Sequence, residues 1–127
     1  RSPMAEAIFN DMAEKNGVCV RAESFGIATS TGLPVSENSV IACKEIGIDL
    51  SGKASTAVAD ADIEKYEKFY CMSQSHAKML MQFFLVQPEK IAVLGISDPY
   101  GGDIDVYRHC RDEIVNSVKE ILKAYEN

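Results

Sequence analysis

The chain has no tryptophan, only two histidines, and four cysteines, at 19, 43, 71 and 110, none of them in a C-x-x-C pair. Neither His76 nor His109 sits at ligand spacing from a cysteine pair, which speaks against a zinc site. The long, irregular gaps between cysteines speak against a disulfide framework. Reduced, mostly buried thiols in a cytoplasmic protein are expected instead. Positive charge is also short: 13 Lys and Arg stand against 19 Asp and Glu, a net charge of -6. That balance opposes nonspecific binding to nucleic acid or an anionic membrane surface, both of which call for a basic footprint. No apolar run approaches the roughly 20 residues that a membrane helix needs. Repeats, linkers and low-complexity stretches are absent too.

What is present fits one domain. The 127 residues are 46% hydrophobic and 25% charged, ordinary values for a globular protein with a proper core. Ser2 and Pro3 open a helix in which Met4, Ala5, Ile8, Phe9 and Met12 recur at helical spacing, and Gly17 ends it. Val18 to Ala22 is predicted as a short strand. A Gly-, Ser- and Thr-rich loop runs over 24–34. Ser36 caps a second helix with Val40, Cys43 and Ile46 inward and Gly47 as its stop. A loop follows over 50–58, then a charged helical turn from Asp60 to Tyr66. Lys68 to Met72 is a strand, and Ser73 caps a helix carrying Ala77, Leu80, Met81 and Phe84. Lys90 to Leu94 is another strand, apolar almost throughout, as in a parallel sheet. The last helix is predicted over 104–125 with Tyr107, Ile114, Val118, Ile121 and Tyr125 inward. Alternating helices and short apolar strands predict an α/β sheet with helices on both faces.

Two places carry chemistry. The helix starting at Ser2 offers free amides and the positive end of a dipole to an anion, and Arg1 is placed to grip a phosphate in bidentate fashion. Read plainly, Arg1 is a terminal residue and Ser2 a cap. Asp98 precedes Pro99, which restricts it to an extended conformation, in a loop leaving the carboxyl end of a strand, where α/β proteins build ligand sites. Read plainly, Asp98-Pro99-Tyr100-Gly101-Gly102 is a turn and Tyr100 a half-exposed loop aromatic. These residues alone leave both readings open.

The string Arg1-Ser2-Pro3-Met4-Ala5-Glu6-Ala7-Ile8-Phe9, followed almost a hundred positions later by Asp98-Pro99-Tyr100, resembles the low-molecular-weight protein tyrosine phosphatases of bacterial type. Gly47 to Gly52, Cys71 to His76 and Asp103 to Arg108 are also similar to that family, so the resemblance spans nearly the whole chain. It implies a three-layer α/β/α, flavodoxin-like fold with a small parallel sheet. It further implies hydrolysis of phosphotyrosine on proteins through a phosphocysteine. Arg1 would bind the phosphate, Ser2 would support the loop and steady the cysteine sulfur, Asp98 would be the general acid, and Tyr100 would line the substrate cleft. No metal or other cofactor is implied. The implied partners are a phosphorylated protein or peptide and inorganic phosphate or a similar oxyanion, with no nucleic acid and no membrane.

Several features depart from the family pattern. The family's phosphate loop runs Cys, five residues, Arg, Ser, and the cysteine lies outside this sequence. Residues 1–127 are therefore expected to be a single phosphatase domain that lacks its first central strand and most of that loop. Such a chain is expected to have a gap in its core, two unpaired neighbouring strands and no activity of its own. A catalytically dead fragment that binds anions or a partner is the non-enzyme alternative. Lys53 stands where many relatives have a His. The loop 27–33 lacks the aromatic that many tyrosine-specific members carry. That lack, with Asp-Pro-Tyr-Gly-Gly, is similar to the protein-arginine phosphatase branch, the alternative activity. Arsenate reductases of the same fold use two cysteines a few residues apart after the third strand, and only Cys71 lies there.

Overall fold

The computed structural model describes residues 2–26, 32, 35–54, 56–57 and 62–125. Helix α1 spans Ser2–Lys15 and buries Met4, Ile8, Phe9 and Ala13 along one stripe. Helix α2, Glu37–Lys44, is capped by Ser36, whose hydroxyl accepts from the Ser39 N–H. Strand β1 is Phe69–Cys71. Helix α3, Gln74–Phe83, is capped by Ser73 accepting from the His76 N–H. Strand β2 is Ile91–Val93, and helix α4 is Ile104–Lys123, capped by Asp103 accepting from the Val106 N–H. A 3₁₀ turn at Ile63–Lys65 takes the place expected for the charged helical turn, whose start at Asp60 lies outside the described residues.

β1 and β2 pair in parallel, with Phe69 opposite Ile91 and Cys71 opposite Val93. Alternate side chains of β1 leave on opposite faces. Phe69 and Cys71 join Ala77, Leu80 and Val86 in one apolar cluster on the α3 side. On the other side α1, α2 and α4 enclose the larger core, which includes Met4, Ile8, Cys43, Leu50, Ile114 and Leu122. The result is the expected three-layer α/β/α arrangement, with a two-stranded sheet among the described residues.

Three expectations change. Residues 18–22 form no strand. Asn10 on α1 takes both backbone groups of Ala22, its Nδ2 donating to the carbonyl at 3.0 Å and its Oδ1 accepting the N–H at 2.8 Å. A ladder needs a second extended backbone alongside, and here a side chain satisfies those groups. Ile46 is not inward, because α2 ends at Lys44 and Ile46 falls in the exposed turn after it; Ala42 and Ser39 are buried instead. On α4 the buried stripe runs Tyr107, Cys110, Ile114, Val118, Leu122, so Leu122 rather than Tyr125 closes it, and Ile121 lies only at its edge. The cysteines follow the expected pattern: Cys43, Cys71 and Cys110 are buried, while Cys19 is exposed.

Candidate functional site

The carboxyl ends of two parallel strands lie at one edge of their sheet, and the chain leaves β2 there toward Asp98. After β1 the chain passes through Met72 into the cap residue Ser73; after β2 it passes through Leu94 to Asp98. Ser2, the first residue of α1, shares a cleft with Met72 and Leu94, which brings the N-terminal end of α1 to that same edge. Arg1 lies outside the described residues. So does most of the 27–33 loop.

The Asp98 loop is tightly built. Asp98 is exposed, and its Oδ1 accepts the Tyr100 N–H at 3.1 Å. Pro99 is buried beneath it, and the Gly102 N–H donates to the Pro99 carbonyl at 2.8 Å, closing the turn. Gly101 follows at φ +81°, in the left-handed region. A β-carbon at Gly102 would lie 2.8 Å from Val106 Cβ and 2.9 Å from the Pro99 oxygen. Gly102→Ala should therefore push Pro99 and Asp98 out of place. About 1–3 kcal/mol of stability should go with it, the usual range for overpacking. A thermal melt compared with wild type checks this, and an unchanged Tm would mean that the loop absorbs a methyl group freely. Tyr100 is 89% exposed, so its ring stands in solvent at the lip of the loop.

An ion cluster joins the start of α4, just beyond this loop, to the end of α2. Arg108 grips Glu45 through Nε at 3.0 and 3.1 Å and Nη2 at 2.6 Å, and reaches Asp105 through Nη1 at 2.9 Å. Arg111 adds Nη1 bonds to Glu45 at 2.7 Å and to the Ala42 carbonyl at 3.0 Å. The Arg108 guanidinium, with Arg111, holds the Glu45 carboxyl below its usual range. Sequence patterning shows the Asp105–Arg108 neighbours on one helix face, but nothing local points to Glu45.

The cleft that Ser2 shares with Met72 and Leu94, about 580 Å³ in volume, extends between residues 19–26 and β1. Phe25 and Phe69 both pack edge-on against Tyr66, at ring distances of 5.3 and 6.0 Å. The Tyr66 hydroxyl bonds Glu23, and burial together with that carboxylate pushes its pKa up to about 12. Gly26 is joined to the next stretch by its N–H donating to the Thr56 carbonyl at 2.8 Å. Glu6 bonds Ser24 and Lys53, a contact that sequence reading misses because its partners lie far apart in the chain. His109, 76% exposed, pairs with Glu113 on its own helix, away from these features. No group of three or more metal-ligating side chains occurs among the described residues.

The sequence model of the low molecular weight phosphotyrosine protein phosphatases matches residues 1–127. The chain belongs to that family. A protein-arginine-phosphatase of Bacillus subtilis (strain 168) is 29% identical over 132 residues, covering 97% of this chain and 87% of that protein. The low molecular weight protein-tyrosine-phosphatase YfkJ of the same organism is 30% identical over 118 residues, covering 79% of this chain and 73% of its own. Among solved structures, a mutant of the YwlE arginine phosphatase with a phosphorylated active site serine superposes with a TM-score of 0.91 at 28% identity. That match covers 97% of this chain and 86% of the other. Fold and family placement thus agree with the reading of the two separated motifs.

Proposed function

We propose that this phosphatase hydrolyses phosphorylated side chains of proteins through a phosphocysteine, with phosphoarginine as its preferred substrate. The observation that carries the substrate is the reach of the arginine-phosphatase likeness: the Bacillus subtilis relative covers 97% of this chain. The Asp98-Pro99-Tyr100-Gly101-Gly102 loop supports it. The first expectation from sequence was phosphotyrosine. It stays as the second reading because YfkJ, a tyrosine phosphatase by name, is 30% identical, and because Tyr100 offers an aromatic wall.

The route has two steps. The sulfur of the cysteine that the family's phosphate loop carries six residues before its Arg, and that residues 1–127 do not include, attacks phosphorus. The bond from phosphorus to the side-chain nitrogen or oxygen breaks, and the Asp98 carboxyl gives its proton to that leaving atom. Asp98, now a carboxylate, takes a proton from water, whose oxygen attacks phosphorus and releases the thiolate and inorganic phosphate. Arg1 and the free amides at the start of α1 balance the charge on the three equatorial oxygens. Ser2 supports the loop at that helix end. This chemistry needs no metal.

Comparing kcat/KM on a phosphoarginine peptide and a phosphotyrosine peptide tests the choice, in a chain that carries the cysteine. A preference of about tenfold or more for phosphoarginine, about 1.4 kcal/mol in transition-state binding, is expected. An equal preference for phosphotyrosine would reverse the assignment and leave the roles of Arg1 and Asp98 in place.

A further inference from the structure

Glu6 lies one helical turn from Ser2 on α1 and reaches two other stretches of chain. Its Oε1 accepts the Ser24 N–H at 2.8 Å and the Ser24 hydroxyl at 3.1 Å. Its Oε2 meets the Lys53 ammonium, 47 positions away. Ser24 belongs to the irregular 18–25 segment, and Lys53 to the loop after α2. Neither stretch is part of a strand ladder among the described residues, so single contacts such as these decide where they sit. The Glu6 side chain is only 17% exposed and that of Lys53 38%, so solvent screens the pair incompletely.

The charges matter as much as the geometry. A carboxylate one turn, about 5.4 Å of helix rise, from the α1 terminus opposes any dianion bound there. Among the described residues, Lys53 is the cation in contact with it.

We propose that Lys53 is a positioning residue that neutralises Glu6, so that the N-terminal end of α1 can hold a phosphate dianion. The proposal rests on the reading of that helix end as the phosphate site. Lys53 itself touches no substrate. It holds the loop after α2 against α1, while Glu6 holds Ser24, and the joined pair presents no net negative charge to the incoming phosphate.

The test is direct titration of inorganic phosphate, with KM and kcat measured alongside, in the chain that carries the cysteine. Lys53→Met should weaken phosphate binding about tenfold and raise KM likewise, with a smaller change in kcat, because it leaves the Glu6 charge unbalanced. Lys53→Arg should stay close to wild type. Glu6→Gln should bind phosphate as well as wild type or more tightly. The double variant Glu6→Gln/Lys53→Met should recover most of what Lys53→Met alone loses. A double variant as poor as Lys53→Met, or a Glu6→Gln variant that binds phosphate several-fold more weakly, would overturn the proposal and leave the pair a purely structural contact. Phosphate affinity is read without turnover. A protein that binds phosphate but cleaves neither phosphopeptide would therefore count against the proposed function and still decide the role of Lys53.

Discussion

Asp98→Asn lowers turnover on a phosphopeptide by roughly 10²–10⁴-fold in a chain that carries the cysteine ahead of Arg1, the usual worth of a positioned acid. The variant is a clean probe because of how the loop is built. The Asp98 Oδ1 accepts the Tyr100 N–H, a bond that an asparagine carbonyl makes equally well, and the turn itself is closed by Gly102 and Pro99. Asparagine therefore removes the titrating proton and leaves the loop in place. Phosphate binding should persist, since Arg1 and the helix amides are untouched. The loss should shrink for a leaving group that departs without a proton, such as p-nitrophenolate. Near-normal turnover on the phosphopeptide would mean that Asp98-Pro99-Tyr100 is only a turn.

Residues 1–127 alone should show no turnover of p-nitrophenyl phosphate. Cysteine attacks phosphorus as the thiolate, and a phosphatase nucleophile needs a lowered pKa. The described cysteines are placed the other way. Burial pushes the Cys43 thiol up to about 11, which leaves about one part in ten thousand ionised at neutral pH. Burial raises Cys71 as well, and Cys110 is sealed inside the helical core. Cys19 is exposed, but it lies on the irregular segment after α1 rather than at the N-terminal end of a helix. Turnover by residues 1–127 that disappears on mutating any of these four residues would sink the proposed mechanism.

The two motifs named by the sequence sit on elements that the structure ties together through distant partners. The Asp98 loop leads into α4, whose start is clamped by Arg108 and Arg111 to Glu45 at the end of α2. Glu45 is exposed, so this clamp orients the helix more than it stabilises the fold. The Ser2 end of α1 is tied by Glu6 to Ser24 and Lys53. Each motif thus has a support that no short window of sequence contains.

The sequence by itself determined the helices, their caps, the parallel strand pair and the two motifs, because these depend on neighbours a few positions away. Ser36 and Ser73 each cap the helix that follows them, and Gly17 takes φ +69° where the first helix stops. Tertiary structure decided the rest. Val18 to Ala22 has the composition of a strand, yet a strand exists only where another backbone lies beside it, and Asn10 occupies those groups instead. The inward face of α4 was legible up to Val118 and not beyond, because what packs against its last turn decides between Leu122 and Tyr125. Glu45 and Arg108 are 63 positions apart, Glu6 and Lys53 are 47 apart, and only folding brings such charges within reach. Periodicity and capping report local free energy, whereas ladders and charge pairs at long separation are set by which surfaces the whole chain buries together.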